Sequence, residues 1–369
     1  MRVPFVDLHA QYLSIKDEID NAIQSVINDT AFIGGKYVKE FENNFAKSYG
    51  IKHCIGVANG TDAIYIILKM LGIGPGDEVI TAANTWISTS ETITQTGARP
   101  VFIDIDEKHY TINEDLIESK ITSRTKAIIP VHLYGQVCNI EKIQTICKKH
   151  NLFLIEDCAQ SHFSSLENKR AGTSGIASSF SFYPGKNLGA YGDAGCIITN
   201  DDTLAKRIRM FANHGSLIKH EHDIEGINSR LDGLQAAILN AKLPHLDNWI
   251  NKRIFNAQLY TKLLNGTGDI ITPSVRENSK HTFHLYVIRT KFRDQLKDYL
   301  MTQNIDVSIH YPVALPNLKA YEYLNLRKED YNITSVFQNE ILSLPMYPEL
   351  SSEQIGFVAN CIKDFFATQ

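Results

Sequence analysis

The sequence lacks the features that mark several special classes of protein. Its six cysteines include no Cys-x-x-Cys pair, which argues against a zinc ribbon or a disulfide framework and favours free thiols in or near the core. Lysine and arginine number 37 against 41 acidic residues, so the net charge is −4 and no basic stripe indicates nucleic-acid binding. No apolar run reaches the length of a membrane span, and the N-terminal segment around Asp7 lacks a signal-peptide core. These absences predict a cytoplasmic protein without a nucleic-acid or membrane partner.

The remaining pattern is that of an α/β protein. At 369 residues the chain has room for roughly two domains. Short apolar runs alternate with helical segments, which indicates a largely parallel sheet with helices on both faces. The run Ala127–Leu133 is almost wholly apolar, as a strand covered on both faces should be. We predict a large domain over residues 1–245, followed by a linker helix and a smaller α+β domain over residues 246–369.

Local signals predict several elements and their boundaries. Apolar spacing favours helices over residues 8–27, 228–243 and 246–264 and a strand over residues 306–309. Asn84-Thr-Trp86 is expected to start a further helix. The turn Asn59-Gly-Thr-Asp62 lies between a strand and a helix, where free N–H groups could hold a phosphate. A simple helix cap by Thr61 or Asp62 is the alternative explanation of that turn.

One lysine has unusual surroundings. Lys186 lies within Phe180–Cys196, between an alternating aromatic run and a loop that contains four glycines. At the end of a half-buried strand, partial desolvation would lower the pKa of this amine and make it a better nucleophile toward carbonyls. The pattern fits a Schiff-base lysine and a solvated surface amine about equally well.

A carboxylate and an aromatic side chain complete a possible cofactor site. Asp157 lies at the acidic end of another predicted strand, and ligands in parallel sheets bind beyond the carboxyl ends of the strands. Pyridoxal phosphate requires a lysine, a carboxylate at the pyridine nitrogen and a phosphate site, and Trp86 is available to stack on the ring. These residues together predict a pyridoxal-phosphate enzyme.

The histidines do not predict a metal site. His214, His220 and His222 share one polar loop, but their spacing matches no helix or ribbon metal site. His132 and His162 lie near the predicted site in sequence, and we assign both a structural role. No metal cofactor is expected.

Six motifs, taken in their order and spacing, resemble the DegT/DnrJ/EryC1/StrS family of sugar aminotransferases. The similarity extends nearly from end to end, and it rests on Asn59-Gly-Thr-Asp62, Asn84-Thr-Trp86, Pro130-Val-His-Leu-Tyr-Gly135, Glu156-Asp-Cys-Ala-Gln160, Ser181-Phe-Tyr-Pro-Gly-Lys-Asn-Leu188 and Gly226-Ile-Asn-Ser-Arg230. The resemblance implies the fold type I of pyridoxal-phosphate transferases, similar to aspartate aminotransferase, with a mostly parallel mixed sheet.

The resemblance also implies a role for each matched position. Lys186 would form the Schiff base and act as the general base, Asp157 would pair with the pyridine nitrogen, and Gln160 would bond the phenolic oxygen. The other implied cofactor contacts are Gly60, Thr61 and Ser181 at the phosphate, Trp86 on the ring and Asn228 at the phosphate of a partner subunit. The implied contacts to a sugar nucleotide are Tyr183, Lys219, His310 and Tyr311.

The implied reaction is a two-step transamination from L-glutamate to a nucleotide-linked keto sugar, in a homodimer whose sites are shared. The match around residues 180–195 most resembles 3-aminotransferases that act on dTDP-3-keto-6-deoxyhexoses in deoxyamino sugar biosynthesis, as for lipopolysaccharide. Amination at C4 of a dTDP- or UDP-linked sugar is the main alternative. A sugar 3-dehydratase of this fold would have histidine in place of Lys186, and a non-catalytic regulator would carry an added DNA-binding module, so both are disfavoured.

Overall fold

The computed structural model describes residues 1–368, and its strands follow the apolar and alternating runs of the sequence. The strands are β1 (His53–Val57), β2 (Glu78–Ala82), β3 (Arg99–Ile103), β4 (Thr125–Ile129), β5 (Phe153–Asp157), β6 (Ser165–Leu166), β7 (Lys169–Arg170), β8 (Ala177–Ser181), β9 (Gly195–Thr199), β10 (Ser279–Lys280), β11 (Tyr286–Arg289) and β12 (Ile341–Leu344). Every residue of β2 and of β9 is buried, as expected for strands that are covered on both faces.

Helices separate most of these strands. They are α1 (Leu8–Ser14), α2 (Lys16–Asp29), α3 (Gly35–Tyr49), α4 (Gly60–Met70), α5 (Ser88–Gln95), α6 (Ile140–His150), α7 (Asp202–Ala212), α8 (Gly233–Lys242), α9 (Leu246–Leu264), α10 (Arg293–Thr302), α11 (Asn332–Phe337) and α12 (Ser352–Ala367). The predicted helix over residues 246–264 is confirmed with the same bounds. None of the helices within residues 1–368 combines the length and the apolar character that a membrane crossing requires.

The central sheet has seven strands in the order β1-β9-β8-β5-β4-β2-β3. The pairs from β8 to β3 are parallel, whereas β9 is antiparallel to both of its neighbours. The sheet is therefore mixed but mostly parallel, as predicted. Because six strands run in one direction, their carboxyl ends meet at one edge of the sheet, and this edge is where ligands bind in such folds.

Two helical layers cover the two faces of the sheet. Successive side chains of a strand point to opposite faces, so Cys196 and Ile198 of β9 pack in one core cluster and Ile197 packs in the other. The first cluster includes Phe45 from α3 and residues of α8, and the second includes Ile67 from α4 and residues of α7. Each fully buried side chain of this kind contributes about 1.5–3 kcal/mol through removal of its apolar surface from water.

A separate core cluster lies in the C-terminal part of the chain. β11 and β12 form an antiparallel pair, and Tyr286, Leu342 and Leu344 from these strands pack with side chains of α9, α10 and α12. A small three-stranded sheet joins β10 to β6 of the N-terminal part. The division of the chain after residue 245 remains our proposal.

Four predicted elements differ from the observed ones because tertiary contacts override the local pattern. The predicted helix over residues 8–27 is interrupted at Ile15, whose backbone is not helical and whose side chain joins a core cluster with Trp249. The predicted helix over residues 228–243 begins only at Gly233, because isolated bridges pair Asn228 with Asn213 and Asp232 with Ile33.

The other two corrections concern shorter stretches. The strand predicted over residues 306–309 is reduced to a single bridge between Ser308 and Ser343. The helix expected to start at residues 84–86 begins at Ser88, because residues 84 and 85 are still in the turn that leaves β2. All six cysteines are free and buried, as the sequence predicted.

Candidate active site

Four strands end beside the predicted cofactor residues. β1 ends two residues before Asn59, β5 ends at Asp157 and β8 ends at Ser181. Lys186 follows β8 in a short loop, and β2 leads toward Trp86. The parallel arrangement of these strands brings the residues to the same edge of the sheet, although they are far apart in sequence.

The turn before α4 makes a close backbone approach to β8. A Cβ atom on Gly60 would lie 2.7 Å from Cβ of Ser181 and 3.1 Å from its Cα, so this position has no room for a larger side chain. Asn59 caps the helix, since its Oδ1 accepts a hydrogen bond of 2.7 Å from the backbone N–H of Asp62. An N-cap residue has extended backbone outside the helix, whereas Thr61 and Asp62 are already helical. The alternative prediction of a cap by Thr61 or Asp62 was therefore wrong.

This helix start can hold an anion. The first N–H groups of α4 have no partner within the helix, and the helix dipole favours negative charge at that end. Thr61 Oγ1 lies 2.8 Å from Ser88 Oγ, which adds hydroxyl groups to the same region. The donor set is that of a phosphate site.

Asp157 is buried and held at both carboxylate oxygens. Its Oδ2 accepts a hydrogen bond of 2.9 Å from Thr89 Oγ1, and its Oδ1 accepts one of 3.1 Å from the backbone N–H of Ala159. Burial raises the pKa of this carboxyl, while the Ala159 N–H, the Thr89 hydroxyl and the charge of Lys186 oppose the rise. The result is an oriented and basic carboxylate that can accept a further proton or hydrogen bond.

The amine of Lys186 has a lowered pKa. Burial lowers its pKa to about 8, and the negative charge of Asp157 opposes that shift. The residue keeps some solvent access, because its loop lies at the open edge of the sheet. The loop turns tightly, since the N–H of Lys186 donates a hydrogen bond of 2.8 Å to the carbonyl of Tyr183.

Gln160, three residues after Asp157, is hydrogen-bonded to an aromatic side chain. Gln160 Oε1 accepts a hydrogen bond of 2.7 Å from the N–H of Tyr134, which orients the amide so that Nε2 donates to the Tyr311 hydroxyl at 3.1 Å. The Tyr311 ring lies 5.4 Å from the Trp86 ring, and Trp86 is 56% exposed. Gln160, Trp86 and Tyr311 are therefore brought together, and the indole remains accessible to a flat ligand.

His310 is held beside this group as a neutral side chain. Its Nδ1 lies 2.9 Å from Ser343 Oγ, its ring stacks on Phe5, and its carbonyl accepts a hydrogen bond from the Tyr134 hydroxyl. Burial and the charge of Lys186 lower the pKa of His310 to about 4. The imidazole can therefore donate or accept a hydrogen bond at neutral pH without carrying charge.

Residues 13–363 match the DegT/DnrJ/EryC1/StrS aminotransferase family. The chain belongs to this family. It is 44% identical to a dTDP-3-amino-3,6-dideoxy-alpha-D-galactopyranose transaminase of Aneurinibacillus thermoaerophilus, over 98% of this chain and 99% of the relative. It is also 45% identical to a pleiotropic regulatory protein of Geobacillus stearothermophilus, over 99% of both chains.

Solved structures agree with the family assignment. The structure of S. venezuelae DesV, in complex with a ketimine intermediate, matches with a TM-score of 0.96 at 38% identity, over 99% of this chain and 98% of DesV. A family member from Brucella abortus matches with a TM-score of 0.95 at 34% identity, over 98% and 99% of the two chains. The predicted aminotransferase fold and the predicted family are both confirmed.

Three of the residues that the family pattern singles out have exposed side chains in the single chain. Asn228 lines a polar cavity of about 340 Å³ with residues such as Asp193 and Arg230. Lys219 is exposed on the loop that follows α7, and Tyr183 is 59% exposed beside the Lys186 loop. The roles predicted for Asn228 and Lys219 remain predictions.

Two hydrogen bonds that orient predicted site residues were missed in the sequence. Thr89 orients Asp157, and the only local signal for it is the hydroxyl-rich sequence of α5. Tyr134 orients Gln160 through its backbone N–H, and no side-chain pattern could have shown that contact. Both contacts depend on the way in which the sheet brings separate strand ends together.

Glu156 anchors the strand end that carries Asp157. One oxygen accepts hydrogen bonds from the N–H groups of Ser174 and Gly175 at 2.7 and 2.8 Å, and the other accepts from Gly172 and from His132 Nε2 at 2.8 and 2.9 Å. These donors lower the pKa of Glu156, although burial opposes them.

This anchor contains the one group of three possible metal ligands found within residues 1–368, namely His132, Glu156 and Cys158. Both oxygens of Glu156 already accept two hydrogen bonds each, and His132 Nδ1 accepts one of 3.1 Å from the N–H of Cys138. Hydrogen bonds within the protein therefore already occupy Glu156 and His132, and they hold the end of β5 in place. His162 is likewise buried, and it packs against the rings of Phe180 and Phe182.

Proposed function

We propose that this protein is a pyridoxal-phosphate-dependent aminotransferase that transfers the amino group of L-glutamate to C3 of a dTDP-3-keto-6-deoxyhexose. The observation that carries the proposal is the pairing of Lys186, whose pKa is lowered to about 8, with the buried and oriented carboxylate of Asp157 at the same edge of the sheet. The family membership and the relatives named above support the same reaction class.

The residues present fit pyridoxal phosphate. The close approach of Gly60 to Ser181 leaves a backbone cradle at the start of α4, and the free N–H groups there suit a dianionic phosphate. Thr61 and Ser181 would add hydroxyl donors, Trp86 would cover the ring, and Gln160 would bond the phenolic oxygen. Asp157 would hold the pyridine nitrogen in its protonated form, and Asn228 of a second subunit would reach the phosphate.

The chain's own residues supply binding and proton transfer. When bound, the cofactor supplies an electron sink for the carbon–hydrogen bond that must break. At pH 7 a lysine with a pKa of about 8 is roughly 10% unprotonated, against well under 0.1% for a pKa of 10.4. Lys186 Nζ would therefore move a proton from the donor carbon to the bound cofactor in the first step, and a proton from the cofactor to the sugar carbon in the second. Asp157 keeps its position in both steps because Thr89 and Ala159 hold its two oxygens.

The proposed sugar carrier and the proposed position of amination rest on the relatives. The A. thermoaerophilus relative and a 38% identical S. venezuelae relative are both named as dTDP-3-amino sugar transaminases. Tyr183, Lys219, His310 and Tyr311 are the proposed sugar-nucleotide contacts, and the neutral imidazole of His310 suits a sugar hydroxyl. A GDP-perosamine synthase of Escherichia coli O157:H7 is 35% identical, and C4 amination is the alternative within the family.

The proposal includes an assembly and a place of action. We propose a homodimer, because the exposed side chains of Asn228 and Lys219 would be available to complete the site of a partner. We also propose that the enzyme acts in the cytoplasm, where nucleotide-linked sugars and L-glutamate occur, and that its product enters a glycan such as lipopolysaccharide.

Two other functions are less well supported. The name of the G. stearothermophilus relative suggests a regulator, yet the reactive lysine and its oriented carboxylate are both present in this chain. A sugar 3-dehydratase would carry histidine at the position of Lys186. Activity with L-glutamate and a keto sugar separates all three functions.

The deciding experiment supplies the purified protein with pyridoxal phosphate, L-glutamate and a panel of 3-keto and 4-keto sugars linked to dTDP or UDP. We expect formation of 2-oxoglutarate and amination at C3 with a dTDP-linked sugar. Amination at C4 alone would overturn the proposed position of amination, and no transfer with any sugar would favour the regulator.

Borohydride reduction and mass spectrometry of the digest should place the cofactor on Lys186, while Lys186→Ala should hold none covalently. The matched control Lys206→Ala, at an exposed position on α7, should behave as the unaltered protein.

A further inference from the structure

Two side chains of helix α8 form hydrogen bonds with the Lys186 loop, residues 183–192. The two side chains lie two turns apart on one face of the helix. Gln235 Oε1 accepts a hydrogen bond of 2.8 Å from the backbone N–H of Tyr191. Lys242 Nζ donates a hydrogen bond of 2.8 Å to the carbonyl of Gly189. Both contacts lie within five residues of Lys186 along the chain, on the segment that returns to the sheet as β9.

The ammonium group of Lys242 is fully buried and has only uncharged neighbours in direct contact. Its side chain is 0% exposed, and besides Gly189 it donates to Gln11 Oε1 at 3.1 Å and lies 4.3 Å from the centre of the Tyr191 ring. Burial lowers the pKa of Lys242 to about 8, which the charge of Glu349 opposes from a greater distance. A buried cation without a paired anion destabilises a fold. If residue 242 served only packing, an apolar side chain there would give a more stable protein.

The carbonyl that Lys242 binds controls the shape of the loop. A Cβ atom on Gly189 would lie 2.2 Å from the carbonyl oxygen of Pro184, so the chain closes on itself around Lys186. The N–H of Ala190 donates a hydrogen bond of 2.8 Å to the carbonyl of Phe182, which ties the far side of the loop to the end of β8. A displacement of Gly189 must therefore displace Lys186.

We propose that Lys242 and Gln235 are positioning residues that hold the Lys186 loop, and that Lys242 links this loop to the N-terminal helix α1 through Gln11. The proposal rests on the proposed function only in taking Lys186 as the reactive amine. The ammonium is suited to this task because it can donate to the loop carbonyl and to Gln11 of α1 while it lies over the Tyr191 ring of the same loop. An apolar side chain could fill the same space but could not bind the Gly189 carbonyl.

The test compares Lys242→Met and Gln235→Leu with the exposed control Lys206→Met. Methionine is nearly as long as lysine but removes the donors, and leucine removes the acceptor for Tyr191. In the full-length protein without cofactor, hydrogen exchange of amides in residues 183–192 should become about tenfold faster or more in both variants, since each loses a buried hydrogen bond. Exchange of β11 should not change, and Lys206→Met should leave both regions unaltered.

A second readout concerns the bound cofactor. The pH midpoint of its visible absorbance band should shift in Lys242→Met and Gln235→Leu, because the distance between Lys186 and Asp157 changes, and Lys242→Arg should restore the midpoint in part. Unchanged loop exchange in both variants would overturn the proposal, as would an equal increase in every peptide. If Lys242→Met does not fold, Gln235→Leu tests the same loop alone. Failure to trap cofactor on Lys186 would refute the proposed function. The hydrogen-exchange result would still test the loop contacts, because it is measured without cofactor.

Discussion

Thr89 Oγ1 donates a hydrogen bond of 2.9 Å to Oδ2 of Asp157, and both side chains are buried. The two residues lie on different elements, the first in α5 and the second at the end of β5. A carboxylate that is held in this way keeps its orientation whether or not a ligand is bound. Under the proposed function, the bond would orient Asp157 for a cationic ring nitrogen before the cofactor binds.

Replacing Thr89 with valine should weaken cofactor binding without unfolding the protein. Valine keeps the shape of threonine but leaves one oxygen of Asp157 without its donor, and the pKa of Asp157 should rise because the hydroxyl lowers it now. A loss of about 1–1.5 kcal/mol corresponds to roughly tenfold weaker binding of pyridoxal phosphate, measured by fluorescence titration. Thr94→Val is the control, because that hydroxyl bonds only its own helix. Equal affinities in the two variants would contradict the role of Thr89.

Replacing Lys186 with methionine should stabilise the cofactor-free protein in a pH-dependent way. The pKa of Lys186 is about 8 in the folded state, below the ordinary value of roughly 10.4 in the unfolded chain. The unfolded state therefore binds more protons between these values, and the penalty is complete below pH 8 and absent above about pH 10.4. Urea unfolding should show a gain of about 1–3 kcal/mol at pH 7 that shrinks toward pH 10. A constant gain across this range, or the same gain in Lys206→Met, would contradict the lowered pKa.

Replacing Glu156 with glutamine should destabilise the fold strongly. The carboxylate accepts four hydrogen bonds, and the amide group of glutamine would direct its own N–H donors at some of those N–H groups. We expect a loss of about 2–4 kcal/mol in the free energy of unfolding at pH 7. Because the pKa of Glu156 is lowered, this stabilisation exists above the unfolded pKa and should vanish as the pH falls through the folded one. Glu141→Gln, at an exposed ion pair with Lys169, should cost under about 1 kcal/mol.

Replacing Gly60 with alanine should damage the phosphate site and the fold together. The new Cβ would lie 2.7 Å from Cβ of Ser181, so α4 or β8 must shift. Such overpacking costs about 1–3 kcal/mol, and binding of pyridoxal phosphate should weaken about tenfold or more. Gly356→Ala is the matched control, because nothing lies within 4 Å of a Cβ there and alanine favours the helix by about 0.5–1 kcal/mol. Thermal unfolding with and without cofactor measures both effects, and equal behaviour of the two variants would refute the close contact.

Patterns within a few residues were sufficient for much of the fold. The apolar period predicted α9 from Leu246 to Leu264, and the alternation of strands and helices predicted the mostly parallel sheet. The same apolar spacing gave a wrong helix start where pairing with distant segments of the chain competes with helix formation. Asn228 and Asp232 form bridges with Asn213 and Ile33, which keep residues 228–232 out of the helix, and helical spacing carries no information about such partners.

Local sequence pattern was sufficient to predict which residues form the site. A lysine among glycines and an acid at the end of a strand can both be recognised from their neighbours in sequence. Tertiary structure decided what holds those residues in place. Asp157 depends on Thr89, and the Lys186 loop depends on Lys242 and on Gly189. These contacts join segments separated by tens of residues, and their geometry is set by the packing of helices on the sheet. The physical reason is that propensity acts along the chain, whereas hydrogen bonds and burial act through space.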